Sequence, residues 1–367
     1  MNNFDWDQYI LNYDDLKHFK ISKQAITHYN RFGIHEKRTD LIYYYSIFYK
    51  NGVVYVIQPI YKDVIMSFKL FNSIGIEYPL TDQVIKYKWE PVIISMFAIP
   101  TEQNTLELYL KFKNTQIKET VTHIKTIPSG KFLCLTTMFK NDYAVIPLFY
   151  DYYKKQGVDH FYLYYNGRLT DDDNPDAPKI KEICKKLPDV TLIEWKFIYS
   201  SKRTDISAHL SQTGELHDAI YRYGKDCYEY IVCCDLDEYL FVSEKEPLFV
   251  SENNLTLREY IKANPSIDTF AFKQILAKSY ERPEKMDTLP KTFQISPTKF
   301  EYLTYEESKI KQPCAKCIHK LKTVQTVSQH YADLETAVVD TKNSFYHFFN
   351  WTQPNRIKNE PFIEHTI

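Results

Sequence analysis

From residue 131 the chain alternates short apolar runs with helix-like stretches, and this alternation limits its fold more than any other feature. The runs are Phe132-Leu133-Cys134-Leu135-Thr136-Thr137, His160-Phe161-Tyr162-Leu163-Tyr164-Tyr165, Val190-Thr191-Leu192-Ile193-Glu194-Trp195 and Tyr230-Ile231-Val232-Cys233-Cys234. Between them lie helical patterns over 143–156, 179–186 and 208–223, the first closed by Gly157. Strands that alternate with helices predict a mostly parallel, doubly wound α/β sheet. Such sheets bind ligands at the carboxyl ends of their strands, so function is expected just after these runs.

The preceding 130 residues have a different texture. Tyr9, Ile10, Tyr13 and Leu16 fall on one helical face, and Ala25, Ile26, Tyr29 and Phe32 repeat the stripe after a break at Ser22. Gly33 is placed to end the second helix. Between 43 and 128 the period shortens: Val53–Ile57, Val92–Phe97 and Leu106–Phe112 read as strands bounded by Asn-Gly, Pro or Asn-Thr. The expected division is a helical module at 1–42, a β-rich module at 43–130 and a catalytic domain at 131–367.

The remaining composition excludes several classes. Lys and Arg total 46 against 47 Asp and Glu, so the net charge of −1 supplies no electrostatic excess for binding nucleic acid. No apolar run is long enough to span a bilayer, and the acidic N-terminus does not read as a signal peptide. Seven cysteines, sparse and odd in number, fit a reducing compartment, so a cytoplasmic location is expected. The sequons at Asn254 and Asn350 are then chance matches. There is no glycine-rich phosphate loop, which argues against kinases, GTPases and nicotinamide enzymes.

The sharpest chemical signal is Cys234-Asp235-Leu236-Asp237-Glu238-Tyr239-Leu240-Phe241. A buried-type strand ends abruptly in three carboxylates within four residues. In extended chain, Asp235 and Asp237 would face one ligand while Leu236 packs the other way. Carboxylates this close repel one another unless a cation joins them, and Mg²⁺ or Mn²⁺ completes its shell with water and phosphate oxygens. The alternative is a solvated acidic strand end. Apolar residues on both flanks favour the metal.

These motifs together resemble glycosyltransferase family 92 and its family 2 relatives, enzymes of the GT-A (Rossmann-like) fold. The resemblance runs from Cys134 to about Pro354. It rests on Lys140-Asn141-Asp142 after the first strand, Gly157-Val158-Asp159-His160-Phe161-Tyr162, the strand at 190–195, Gln212 opening a helix, and Asp235 through Leu240. It continues through Lys316-Cys317-Ile318 with His330, and Phe345-Tyr346-His347-Phe348. The N-terminal pattern Trp6-x2-Tyr9-x3-Tyr13-Asp14-Asp15-Leu16 with His28, Tyr29 and Gly33 resembles a helical module preceding some viral and bacterial glycosyltransferases. One departure is Tyr165-Asn166-Gly167-Arg168-Leu169-Thr170-Asp171, where the family commonly has Asp-Asn-x-Ser-x-Asp near the nucleotide.

What the resemblance implies is a metal-dependent, inverting glycosyltransferase. It would move a hexose from a nucleotide sugar, UDP-galactose or UDP-glucose by family precedent, to a glycan or glycoprotein. Asp237 would bind Mn²⁺ or Mg²⁺ directly, Asp235 would touch the ribose or reach the metal through water, and His330 or His347 would add a ligand. Asn141, Asp142, Asp171 and Gln212 would line the donor pocket. Glu238 is one candidate general base, with Asp268, Glu281 and Glu306 as others. The rival readings are a non-catalytic glycan- or partner-binding protein on the same fold, and a sugar-nucleotide pyrophosphorylase or nucleotidyltransferase.

Three further patterns are read as structural. His28 is expected as a partly buried structural histidine. Cys314-x2-Cys317-x-His319 lacks the second pair that a structural zinc needs. The lysines at 309, 311, 316, 320 and 322 read as a solvated face, with donor phosphates as the alternative.

Overall fold

The strand Leu133–Phe139 is buried along its whole length, and that burial explains its sequence. It lies between His160–Tyr165 and Tyr230–Cys233, parallel to both, and its residues are buried on both faces of the sheet, so LCLTTMF needs no polar alternation. The computed structural model describes residues 4–366 apart from 63–67, 88–90, 101–102, 113–114, 125–129, 170–173, 204–209, 243–254, 280, 282, 284–285, 297–301, 305–310, 314, 330–337 and 353–361. The chain divides into two compact units, Ser129–Glu194 with Tyr223–Ile367, and Met1–Pro128 with Trp195–Arg222.

The first of these is the α/β unit expected from the alternation. Val190–Glu194, His160–Tyr165, Leu133–Phe139 and Tyr230–Cys233 form its parallel half, in that spatial order. Beyond Tyr230–Cys233 the sheet continues through Ala315–Lys320, Thr269–Lys278, Thr292–Ile295 and Ile363–Thr366, each antiparallel to the strand before it. Ser344–Phe348 lies parallel to Thr269–Lys278 and antiparallel to Glu238–Phe241. Helix Ile146–Lys155 carries Pro147 in its first turn, where the missing N–H costs nothing. It stops at Gly157, whose φ of +90° is open to glycine and where a Cβ would lie 2.6 Å from Arg258.

Within the other unit, Trp6–Asn12 and Ser22–His28 are the two expected helices, with a 3₁₀ turn at Asp14–Leu16 and a wide π turn at Tyr29–Gly33. Asp5 caps the first helix through the Gln8 amide. Tyr9, Leu16 and Ala25 form the small core. His28 is structural as expected, its Nδ1 lying 3.1 Å from the Tyr9 hydroxyl. The helical path ends at Gly33, as expected, and a Cβ there would fall 2.3 Å from that same hydroxyl, so glycine also serves the close approach. Two four-stranded antiparallel sheets follow, ordered Ser46–Lys50, Val53–Pro59, Val92–Ala98, Leu80–Lys86, and Glu77–Tyr78, Lys69–Asn72, Thr105–Phe112, Thr115–Thr122.

Helix Leu210–Asp218 belongs to this second unit, although its sequence position lies inside the α/β alternation. Polar ties hold it and the flanking segment there. Asp218 accepts from Ser46, the buried Lys50 donates to the Tyr221 carbonyl at 2.6 Å, and Arg203 meets Asp40 at 2.8 Å. Among the described residues, no helix is long and apolar enough to cross a membrane.

Candidate active site

The acidic motif sits at the carboxyl end of the central strand Tyr230–Cys233, where a parallel sheet presents its ligands. The chain does not stay extended there, as the i, i+2 argument assumed. It turns: the Glu238 amide donates to the Asp235 carbonyl at 3.1 Å, while the Asp235 amide donates to Glu238 Oε2 at 2.9 Å. Leu236 points into the core as expected, but the turn sends the two aspartates to different partners.

Asp237 and Glu238 meet His347. Glu238 and His347 are opposed across the antiparallel pair Glu238–Phe241 and Ser344–Phe348, so the sheet register itself brings them together. His347 Nε2 lies 3.5 Å from Asp237 Oδ2, and the Phe348 amide holds the Asp237 carbonyl at 2.8 Å. One ligand atom from each of Asp237, Glu238 and His347 falls within 4.8 Å of the others. Two carboxylate oxygens and an imidazole nitrogen suit Mn²⁺ or Mg²⁺, with open positions for substrate oxygens. The other His347 nitrogen, Nδ1, is hydrogen-bonded to the Gln274 side chain, which fixes the ring.

Asp235 faces the other way. Its Oδ2 takes Lys316 Nζ at 2.8 Å and Gln329 Nε2 at 3.4 Å, and Lys316 also reaches Glu238 Oε2 at 3.2 Å. Lys316 is 1% exposed. The reading of a solvated lysine face therefore fails at this position. Its strand, Ala315–Lys320, is interior, with both edges paired, to Tyr230–Cys233 and Thr269–Lys278, and consecutive residues buried on both faces. The signal available in the sequence was the apolar run around it, Ala315-Lys316-Cys317-Ile318.

Burial and like charge set the protonation of the cluster. Burial pushes Glu238 up to about 7, against the pull of Lys316 and with a further push from Asp235. Asp142, half-buried after the strand Leu133–Phe139, is raised to about 6 by burial and then by Asp237 and Asp235, so it shares their field. Burial would lower His347, but the Asp237 carboxylate overrides it and holds the imidazole above its ordinary value. Lys316 is likewise held charged by Asp235 and Glu238 in spite of burial.

Of the remaining expected residues, Asn141 is exposed beside Asp142, its amide donating to Asp142 Oδ1 at 3.1 Å. Gln212 lies in the other unit, buried, accepting from the Tyr199 hydroxyl at 3.2 Å. Asp171, His330, Glu306 and Cys314 lie outside the described residues. Asp268 fastens a loop through Thr323 and the Val338 amide. His319 is buried against Thr269 and Cys317 is buried beside it, so neither is an open ligand. The Asn350 side chain is engaged by both backbone groups of Ser279, which gives that sequon residue a structural task.

Residues 131–353, well over half of the chain, match the profile of Glycosyltransferase family 92. The chain belongs to glycosyltransferase family 92. Among solved structures, this family 92 chain is similar to a WbbM bifunctional glycosyltransferase in its apo form, at 14% identity over 46% of this chain and 26% of that one, TM-score 0.24. It is also similar to the amylomaltase from Corynebacterium glutamicum, at 12% identity over 44% of this chain and 27% of that one, TM-score 0.17. The family 92 chain thus spans about a quarter of the length of each. No curated protein sequence matches it.

Two predictions arise from this geometry. On the reading that His347 is a metal ligand, Gln274→Ala should weaken Mn²⁺ binding by about 10–100-fold, the usual effect of freeing a ligand histidine from its partner, with little change in thermal stability. Mn²⁺ titration checks it, and an unchanged affinity would show that the ring is oriented by packing alone. The second concerns pH. Asp142 and Glu238 hold their protons more tightly folded than unfolded, so their contribution to stability is full below their ordinary values near 4 and is lost as pH rises through about 6 and 7. In EDTA, the melting temperature should therefore fall across this window, and Asp142→Asn should flatten the decline. Parallel profiles for the two proteins would count against an Asp142 carboxyl held above its ordinary value.

Proposed function

We propose that this family 92 chain is a metal-dependent glycosyltransferase that moves a hexose from a UDP-linked donor to a glycan or glycoprotein acceptor by a single inverting displacement. The observation that carries the reading is the Asp237–Glu238–His347 cluster at the carboxyl end of the central strand, whose donor set fits a hard divalent cation. A cation held there would offset the negative charge that grows on the diphosphate as the bond to the sugar breaks.

The chain's own residues do the rest. Asp237 and His347 face each other across the site, with Gln274 holding the ring. Asp142, beside them in the same field, is suited to a ribose or base hydroxyl, and Asn141 and Asp171 are proposed to line the donor pocket with it. Glu238 serves a cation better than it serves an acceptor hydroxyl. A general base must reach the proton that it takes, whereas Glu238 is 2% exposed and its Oε2 is shared between Lys316 and the Asp235 amide. The unit formed by Met1–Pro128 and Trp195–Arg222 is proposed as an accessory domain.

A thermal-shift panel of UDP, GDP, CMP and UDP-sugars, each with and without Mn²⁺, tests the reading. A donor at about 100 times its dissociation constant adds roughly 2.7 kcal/mol to the state that binds it. A Mn²⁺-dependent shift with UDP or a UDP-sugar is expected. A well-folded protein that responds to no nucleotide would sink the catalytic reading.

A further inference from the structure

Lys316 is a buried ammonium with a carboxylate on either side of the acidic turn. Its Nζ is 2.8 Å from Asp235 Oδ2 and 3.2 Å from Glu238 Oε2, and it is 1% exposed. It enters from a neighbouring strand: Cys317 is opposite Cys233, so Lys316 stands one step further along, level with Cys234, the residue before the acidic turn. Glu238 is shared, since it touches Lys316 and also belongs to the group that converges with Asp237 and His347. At 1% exposure the ammonium is covered by protein, which disposes of the alternative that it meets donor phosphates directly.

We propose that Lys316 is a resident cation that tunes the acidic cluster for one divalent ion, holding Asp235 away from the metal and leaving Asp237, Glu238 and His347 to bind it. This rests on the metal-dependent reading above. The acidic turn carries three carboxylates, Asp235, Asp237 and Glu238, and Lys316 touches two of them, Asp235 and Glu238, so its one ammonium leaves a residual charge that matches a single divalent ion. The lysine supports the turn, but it also repels the metal through the shared Glu238, and repulsion in a buried site is strong. These two effects have opposite signs, and the sign identifies the role. A lysine that only props the turn would, when removed, loosen metal binding. One that tempers the charge would, when removed, tighten it.

The test is a Mn²⁺ titration of the metal-stripped full chain, followed by the loss of the free-ion paramagnetic resonance signal, with no substrate present. Lys316→Met is expected to bind Mn²⁺ at least about tenfold more tightly than wild type, and Lys316→Arg within about threefold of it. Lys316→Met leaves the buried Glu238 and the part-exposed Asp235 without their shared counter-ion and could fail to fold, so the double variant Asp235→Asn/Lys316→Met carries the test independently. It removes both charges together and restores the same residual charge. Its affinity should lie within about threefold of wild type. Weaker or unchanged binding in a folded Lys316→Met protein would overturn the proposal. So would a loss of about 100-fold in the double variant, because Asp235 would then be a direct ligand. A wild-type chain that takes up no Mn²⁺ brings down the metal reading and this proposal together, whereas wild-type binding with the wrong variant pattern removes only the role of Lys316.

Discussion

Asp237→Asn should, under the proposed metal-dependent transfer, cost about 10²–10³-fold or more in kcat/KM while leaving the fold intact, since charge stabilisation aimed at a departing diphosphate is worth that much. The substitution is nearly isosteric, and the backbone bond from the Phe348 amide to the Asp237 carbonyl survives it. What disappears is the negative charge facing His347 Nε2 at 3.5 Å, together with one hard oxygen donor. Mn²⁺ affinity should fall with activity. The His347 imidazole, which Asp237 holds above its ordinary value, should then titrate lower. The measurement is transfer from a UDP-sugar with saturating Mn²⁺, beside a circular dichroism spectrum for folding. An Asn variant within about threefold of wild type would show that this carboxylate is no part of the charge stabilisation.

How much of this site could be read from residues alone depended on the kind of contact. The acidic motif was legible because three carboxylates after a buried strand are anomalous wherever they occur. His347 was legible only as one of two histidines, since its meeting with Glu238 depends on the register of two strands over a hundred residues apart. The parallel half of the sheet followed from apolar runs of the right length. The turn at 235–238 did not, because nothing in Asp-Leu-Asp-Glu distinguishes extended chain from a reversal closed by the Glu238 carboxylate on the Asp235 amide. Lys316 was hidden for a related reason. A lysine among other lysines reads as solvated, and its burial appears only when the sheet order puts its strand inside. Helix Leu210–Asp218 illustrates the same limit on a larger scale. Its apolar pattern is helical in any setting, but the ties of Asp218 to Ser46 and of the following Tyr221 to Lys50 each span some 170 residues.

Tyr153→Phe should destabilise the α/β unit by about 2–4 kcal/mol and weaken Mn²⁺ binding in the same protein, since it strips two buried backbone groups of their partner at about 1–3 kcal/mol each. The strand Glu238–Phe241 is paired on one side, with Ser344–Phe348. Tyrosines of helix Ile146–Lys155 satisfy backbone groups on its other side: the Tyr152 hydroxyl donates to the Leu240 carbonyl at 2.7 Å, and Tyr153 donates to the Glu238 carbonyl at 2.8 Å. The Tyr153 oxygen also accepts from the Leu240 amide at 3.1 Å. Phenylalanine fills the same space, so no cavity opens and the loss isolates the hydroxyl. Because one of the two orphaned groups is the carbonyl of Glu238, the strand carrying that carboxylate loses its anchor next to the site. A helix tyrosine more than 80 residues away in sequence thus couples stability to metal affinity. Thermal denaturation and Mn²⁺ titration of the single variant measure both effects. A lowered melting temperature with unchanged Mn²⁺ affinity would mean that the strand is positioned by its pairing with Ser344–Phe348 alone.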